Sequence, residues 1–231
     1  MPSTTTVREH PVIFSGPMTC ALLSGAKTMT RRPVKLGTSF GKSETPGYDW
    51  TFRGTRRGGR TGGGSGCWQD LSHRQVLDLC PYGKPGSILW VRESFRREID
   101  DDGNTFTRYR ADDADANEWR YKPSIHLPRW ASRLTLEITE VRVERVSQIS
   151  EADALAEGIP ADPGDRSLVY IPTRPTYPPK PFPYSRNTPV VPTAVQAFAA
   201  LWDGINGKKE GCKFTDAPWV WVISFRVVPN A

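Results

Sequence analysis

The sequence predicts an α+β fold, a small and mostly antiparallel β-barrel with peripheral helices and long inserted loops. Five or six short segments carry the apolar pattern of strands, and two or three have the caps and one-sided apolar pattern of helices. Two stretches rich in glycine or proline interrupt them. With 231 residues, 37% hydrophobic and 10% aromatic, the chain is long enough for one core with insertions. We therefore predict a single domain over residues 1–231.

The N-terminal half begins with a short strand at 12–14 and a short helix. Pro17 suits the first helical position, and Gly25 ends the helix. From Gly37 to Gly66 the sequence loses all periodicity and ends in the run RGTRRGGRTGGGSG. We therefore predict a flexible insertion over about 37–79. Strands follow at 88–94 and 105–111, the second after an Asp-Gly turn.

The longest predicted strand is RLTLEITEVRVERV, residues 133–146. Its apolar residues alternate with polar ones in two phases, and the slip between Ile138 and Val141 predicts a bend or a bulge. Ser150 then caps a helix that ends at Gly158.

The C-terminal part combines a proline-rich loop, a helix and a final strand. Ten prolines in residues 160–192 forbid helix and central strand and predict an extended loop. Thr193 and Gln196 form the capping box of an amphipathic helix. The run WVWVISFRVV predicts a long last strand.

Several classes of protein are excluded by composition. No apolar run approaches the roughly 20 residues of a membrane span, and the first residues lack a secretory pattern, so we expect a cytoplasmic protein with no membrane partner. The four cysteines form no CxxC pair and are expected as free thiols. Cys67, His73 and Cys80 are zinc-ligand types at an unusual spacing without a fourth partner. We expect no metal and no cofactor.

Positive charge is concentrated in one segment. Residues 27–66 hold nine Lys or Arg and two acids, a net charge of +7, whereas the whole chain carries +6. Such a segment suggests contact with the phosphates of a nucleic acid. A solvated, charged loop is the alternative.

The motifs SGAKTMTRR, CPYGKPGSILWVRESF, SIHLPRWASRLTLEITEVRVERVSQISEADALAEGI and WVWVISF occur in an order that resembles the ASCH domain family, a branch of the PUA-like barrels. In particular, the chain resembles the longer ASCH proteins encoded in bacteriophage genomes, which would place it in the bacterial host cytoplasm. ASCH domains are associated with RNA or nucleotide binding. One bacterial branch hydrolyses N(4)-acetylcytidine, and its K-T-x-T-x-R motif matches Lys27, Thr30 and Arg32.

The resemblance implies three catalytic residues, Lys27, Thr30 and Glu157. Amide hydrolysis needs a nucleophile, a base and an acid for the leaving amine. Lys27 can act as a base near neutral pH only if burial and the adjacent Arg31 and Arg32 lower its pKa. Residues three apart share a face on a turn but not in a strand, so we expect a turn from Lys27 to Thr30. Glu157 lies at the negative end of a helix, which suits a proton donor, although a solvated surface glutamate is the alternative.

Further polar residues are candidates for substrate binding. Arg31 and Arg32 accompany the catalytic motif, and one of Arg92 and Glu93 is expected to point inward, unless the two form only a salt bridge. The last candidates, His126 and Trp130, suit hydrogen bonding and base stacking. A core role is the alternative for Trp130.

These observations predict a protein that recognises a nucleobase. The first hypothesis is an amidohydrolase acting on N(4)-acylated cytidine or a related modified nucleoside or nucleic acid. The alternative is a non-catalytic binding module for RNA or modified DNA. Turnover of N(4)-acetylcytidine distinguishes the two hypotheses.

Overall fold

Strands dominate the regular structure of this protein. The computed structural model describes residues 8–35, 40–53, 68–113, 120–160 and 193–229. Within these residues the strands are β1 (Glu9–Ile13), β2 (Met29–Pro33), β3 (Gly41–Lys42), β4 (Trp50–Arg53), β5 (Trp68–Leu71), β6 (Ile88–Arg92), β7 (Phe95–Ile99), β8 (Thr105–Tyr109), β9 (Thr135–Arg145) and β10 (Trp219–Val228). The α-helices are α1 (Gly16–Leu23), α2 (His73–Asp78), α3 (Glu151–Ala156) and α4 (Ala194–Asn206).

The central sheet has five strands in the order β1-β6-β9-β10-β2. Its β1–β6 pair is parallel, and the other pairs are antiparallel. The α+β class and the mostly antiparallel pairing are therefore confirmed. Among the described residues no pairing joins the edge strands β1 and β2, so a closed barrel is not confirmed.

Each face of the sheet is covered by its own hydrophobic core, because side chains alternate along β10. Trp221 and Ile223 point into the first core with β1, β6 and the apolar residues of β9. Val220 and Val222 point into the second core, which α3 and α4 cover. The strand β2 lies at the sheet edge, where both cores end.

The bulge predicted in the long strand is confirmed. Along β9 and β10 the pairing passes from Ser224 and Glu140 directly to Phe225 and Ile138, which leaves Thr139 without a cross-strand partner. The extra residue turns both Ile138 and Val141 into the first core. The predicted helix caps at Ser150 and Thr193 are also confirmed, each accepting a hydrogen bond from the third helical residue.

The described part of the predicted insertion over about 37–79 contains regular secondary structure, which the loss of periodicity from Gly37 to Gly66 did not indicate. There β3, β4 and β5 form an antiparallel sheet, followed by α2. Trp50 stacks on Phe40 and meets the edge of Trp219, and it is 1% exposed. Burial of the Trp50 indole stabilises this small sheet, although the local sequence shows little of the alternation typical of strands. The glycine run at 54–66 and the proline-rich residues 161–192 lie outside the described residues, and the single-domain prediction stays a prediction.

None of the helices in the described ranges is both long and apolar enough to cross a membrane.

Candidate functional site

A short backbone pairing brings two predicted catalytic residues together. Lys27 and Glu157 form an isolated antiparallel bridge, and the Thr28 amide donates to the Ala156 carbonyl at 2.9 Å. The Lys27 amide also donates to the Ala21 carbonyl of α1 at 3.0 Å. The ends of α1 and α3 therefore meet at the start of β2, across 130 residues of sequence.

The Lys27 side chain is buried against Glu157. Its Nζ donates to Oε2 of Glu157 at 2.8 Å and to the Glu157 carbonyl at 2.7 Å. Burial lowers the pKa of Lys27, and Arg32 and Arg31 lower it further, against the opposing attraction of Glu157. This is the direction that a base role for Lys27 requires. Lys27 therefore loses its proton more readily than an exposed lysine does.

Gly158 closes the chain tightly over Lys27. Its φ is +88°, and a Cβ placed there would lie 3.0 Å from the Ala21 Cβ and 3.2 Å from the Lys27 Cβ. A side chain at this position is therefore strained and crowded. The glycine that ends the predicted helix also makes room for the buried lysine.

Arg31 is fully buried and contacts three carboxylates. Its Nη2 lies 2.6 Å from Glu144 and 2.6 Å from Asp153, and its Nη1 lies 3.5 Å from Oε1 of Glu157. Arg142 completes the network by contacting Asp153 at 2.7 Å and Glu144 at 3.1 Å. Three cations thus face three carboxylates: Lys27, Arg31 and Arg142 face Glu144, Asp153 and Glu157. The geometry makes Arg31 a structural partner of Glu157, where the sequence suggested contact with a substrate.

Thr30 is buried in β2, opposite Ile223 of β10. The expected turn from Lys27 to Thr30 was wrong, because Met29 and Thr30 belong to a strand and Lys27 forms a bridge just before it. Pairing with β10 determines this conformation. Among the described residues, no hydrogen bond joins the Thr30 hydroxyl to Lys27 or Glu157.

Arg32 shares the Thr30 side of β2, because alternate residues of a strand point to the same face. Its Nη2 donates to the Ile13 carbonyl at 2.7 Å, and its guanidinium lies 5.2 Å from the Phe14 ring centroid. Lys27 Nζ lies 5.5 Å from the same centroid. Phe14 is thus flanked by two cations of the predicted motif.

A second buried carboxylate lies on the other side of α1. Glu93 points inward, as one of the Arg92 and Glu93 pair was expected to do, and receives two hydrogen bonds from Arg133 at 2.8 and 2.9 Å. Burial raises the pKa of Glu93, against the opposing effect of Arg133. Arg133 also binds Asp112 at 2.5 Å. Arg92 is half-buried, and its Nε donates to the Leu127 carbonyl at 3.2 Å.

His126 and Trp130 are exposed in the segment before β9. Trp130 is 70% exposed, and the Arg97 guanidinium lies 5.7 Å from its ring. A core role for Trp130 is therefore ruled out. No hydrogen bond or ion pair of the described residues joins either side chain to Lys27 or Glu157.

The network residues Glu144, Arg142 and Asp153 were not predicted from the sequence. A usable signal was present, because Arg142 and Glu144 are two residues apart on a strand and so share a face. That face became identifiable only with the register of the bulge. Phe14 gave no signal beyond its apolar character.

The described residues contain no group of three metal-ligand side chains close enough to hold an ion. Cys67 lies outside these residues, as do three of the arginines of the basic segment. The expected absence of a metal and the expected phosphate contact of the basic segment therefore both stay predictions. Within the described part, Cys20, Cys80 and Cys212 are free thiols.

Comparison with known proteins gives one structural likeness. No protein-family model and no curated protein sequence matches this chain. The chain is similar to the crystal structure of protein EF3133 from Enterococcus faecalis V583, which carries the family-model label DUF984. The superposition covers 97% of this chain and 82% of that chain, with 10% sequence identity and a TM-score of 0.39. A TM-score of this size assigns neither a fold family nor an activity.

Proposed function

We propose that this protein is an ASCH-like, PUA-related amidohydrolase that removes the acyl group from N(4)-acylated cytidine or a related modified nucleoside or nucleic acid. The observation that carries the proposal is the buried hydrogen bond between Lys27 Nζ and Glu157 Oε2, 2.8 Å long. It lies beside the K-T-x-T-x-R motif, which matches the cytidine amidohydrolases in the sequence.

Transfer of one proton within the Lys27–Glu157 pair produces both a base and an acid. Moving the proton from Nζ to Oε2 converts the ion pair into a neutral amine and a carboxylic acid. Burial favours this neutral form, because it contains no separated charges. Arg31 opposes the change at Glu157, but its own charge is met by Glu144 and Asp153. The network thus balances the charge of Arg31 within the protein.

Thr30 serves as the nucleophile. Its oxygen attacks the acyl carbonyl carbon while its proton passes to neutral Lys27 through one bridging water, since no direct hydrogen bond joins the two side chains among the described residues. The C–N bond then breaks, the Glu157 carboxyl protonates the departing amino group, and the acyl group stays on Thr30 as an ester. Water hydrolyses this ester, releasing the carboxylic acid and restoring the hydroxyl. Proton return from Lys27 to Glu157 regenerates the starting pair.

Thr30 is 4% exposed, so this assignment requires substrate to approach along its side of β2. Arg32 and Phe14 border that side and are suited to orient the base.

A second function is a non-catalytic binding module for RNA or modified DNA. One observation favours it, namely that the Thr30 hydroxyl has no hydrogen bond to Lys27 or Glu157 among the described residues. In that case Lys27 and Glu157 stabilise the fold and the basic residues bind phosphate.

The test is incubation with N(4)-acetylcytidine, followed by chromatography of cytidine and acetate. We expect turnover by the parent and none by Thr30→Ala, while ligand affinity is nearly unchanged because the hydroxyl acts in the transition state. Thr28→Ala is the matched control, since Thr28 is an exposed threonine two residues earlier. Turnover by Thr30→Ala at the parental rate contradicts the proposal.

Lys27→Arg tests the base. A guanidinium keeps the charge but does not release its proton near neutral pH, so we expect no turnover. Lys35→Arg, at an exposed position, is the control. Because Lys27 is enclosed, urea unfolding of each variant checks that the fold is retained, and Lys27→Met provides a less bulky inactive variant. Affinity for acylated cytosine without turnover in the parent favours the binding module.

A further inference from the structure

The two-stranded ribbon of β7 and β8 carries an arginine–aromatic pair on each face. On one face the Arg97 guanidinium lies 5.7 Å from the Trp130 ring, and on the other the Arg108 guanidinium lies 5.7 Å from the Phe106 ring. The register pairs Arg97 with Thr107 and Arg108 with Arg96. Alternation along the strands therefore separates the two pairs.

The two pairs differ in charge and exposure. Arg108 Nε is bound to Glu98 at 2.8 Å, and Phe106 is 39% exposed. Arg97 is exposed and has no carboxylate partner among the described residues, while Trp130 is 70% exposed. One face of the ribbon thus pairs its arginines with carboxylates of the protein, whereas the other presents, among the described residues, a cation without a carboxylate partner beside an exposed indole.

Trp130 is exposed on a firmly anchored segment. The Tyr109 hydroxyl donates to the Ala131 carbonyl at 2.6 Å, and Ala131 is buried beside Phe95 and Leu127. On the other side, Arg129 binds Glu9 at 2.7 and 3.1 Å. Both neighbours of Trp130 are therefore held, so the indole needs little ordering when a ligand stacks on it.

A second cation, Lys122, lies on the same face. Lys122 bridges Phe95 in the antiparallel sense, so its side chain emerges on the Phe95 and Arg97 side of the ribbon. Lys122 is exposed and has no carboxylate partner in the described part of the chain. Trp130, Arg97 and Lys122 together form what we call the stacking surface.

We propose that the stacking surface binds a nucleotide of a single-stranded nucleic acid, with the base on the Trp130 indole and the phosphate near Arg97 and Lys122. This inference rests on the proposed function and makes the substrate a polymer. An exposed aromatic face with unpaired cations matches the flat base and anionic backbone of a single strand. An acidic protein surface would match the cations but leave the indole unused.

The stacking surface is connected to the candidate catalytic site through α1. Arg133 stacks 4.1 Å from the Tyr109 ring and binds Asp112, next to Ala111. The Ala111 carbonyl accepts from Cys20 of α1 at 3.5 Å, and the next residue, Ala21, receives the Lys27 amide.

The experiment measures fluorescence anisotropy of labelled, unmodified single strands of about ten nucleotides, one of RNA and one of DNA with the same sequence. We expect Trp130→Ala to weaken binding about 5- to 150-fold, the range for loss of one base stack, and Trp130→Phe to restore most of it. Arg97→Ala should lower the slope of log affinity against log salt by about 0.7. Phe106→Ala is the matched control and should bind like the parent.

Parental affinity of Trp130→Ala for both strands overturns the inference, as does equal weakening by Phe106→Ala. A Trp130-dependent self-association in sedimentation, without strand binding, overturns it in favour of a protein interface. The readout is independent of hydrolysis. Strand binding that depends on Trp130, in a protein without turnover, refutes the amidohydrolase and supports the stacking surface. Turnover of the free nucleoside without Trp130-dependent strand binding supports the amidohydrolase and refutes the stacking surface. Comparison of the RNA and DNA strands identifies which polymer is preferred.

Discussion

Two buried carboxylates flank α1, and they are paired with different cations. Glu157 is hydrogen-bonded to Lys27, whose side chain is enclosed by Gly158 and Ala21. Glu93 is bound by both arms of Arg133, whose side chain is 24% exposed. Both pairs satisfy a buried negative charge, as a folded protein requires. They differ in whether the cation is able to release its proton.

The difference separates a pair suited to chemistry from one suited to structure. Burial lowers the pKa of Lys27, so that its amine becomes neutral at a lower pH than that of an exposed lysine. Burial also opposes the charge of Arg133, but its hydrogen bonds to Glu93 and Asp112 raise its pKa, so that it stays a cation. A lysine is able to act as a base where an arginine only holds a carboxylate.

The largest expected effect is loss of stability in Arg31→Met. This change leaves Glu144, Asp153 and Glu157 with one cation fewer in a buried network, and removal of one buried partner costs about 3–5 kcal/mol. Arg133→Met is the matched variant in the other region. Water reaches Arg133, so we expect a smaller loss of about 1–3 kcal/mol. Urea unfolding measures both, and equal losses would contradict the contrast between the regions.

Gly158→Ala should cost about 2–3 kcal/mol. The positive φ disfavours any side chain, and the added Cβ crowds Ala21 and Lys27. Gly25→Ala is the control, because Gly25 also has a positive φ but open space around it. We expect that variant to lose about 1 kcal/mol. If thermal unfolding gives the two variants the same loss, the enclosure of Lys27 is looser than described.

The pH dependence of stability should have opposite signs in the two regions. The pKa of Lys27 is lowered in the folded state, so the unfolded chain binds more protons, and its contribution to stability rises with pH as far as the ordinary lysine value of 10.5. The pKa of Glu93 is raised, so its contribution is complete below the ordinary value of 4.5 and is lost as pH increases above it.

Lys27→Met and Glu93→Gln reveal these contributions by subtraction from the parent. Each unit of pKa shift corresponds to about 1.4 kcal/mol. We expect Lys27→Met to flatten the alkaline part of the stability curve and Glu93→Gln to flatten the acid part. A steeper alkaline rise in Lys27→Met would mean that the pKa of Lys27 is raised.

The sequence predicted features that depend on local pattern. The caps at Ser150 and Thr193 are set by residues three apart, and the bulge follows from two apolar phases within one strand. No local rule pairs Lys27 with Glu157, because 130 residues separate them. The family resemblance implied only that both residues are catalytic.

Features that depend on tertiary packing were missed. The turn expected from Lys27 to Thr30 became a strand because β10 offers a pairing partner. Arg31 looked like a substrate contact because its carboxylate partners come from β9 and α3, far along the chain. Order around Trp50 depends on Phe40 and Trp219, whose stacking leaves no periodic signal.

The most direct test of the account is the titration of Lys27 itself. Carbon-13 labelling at the lysine Cε, with the Lys27 resonance assigned by its loss in Lys27→Met, follows the protonation of this amine by NMR. The account predicts a pKa below the ordinary 10.5, and a further decrease in Glu157→Gln, where the opposing negative charge is removed. A Lys27 pKa at or above 10.5 in the parent would contradict the central claim that this lysine is a buried base.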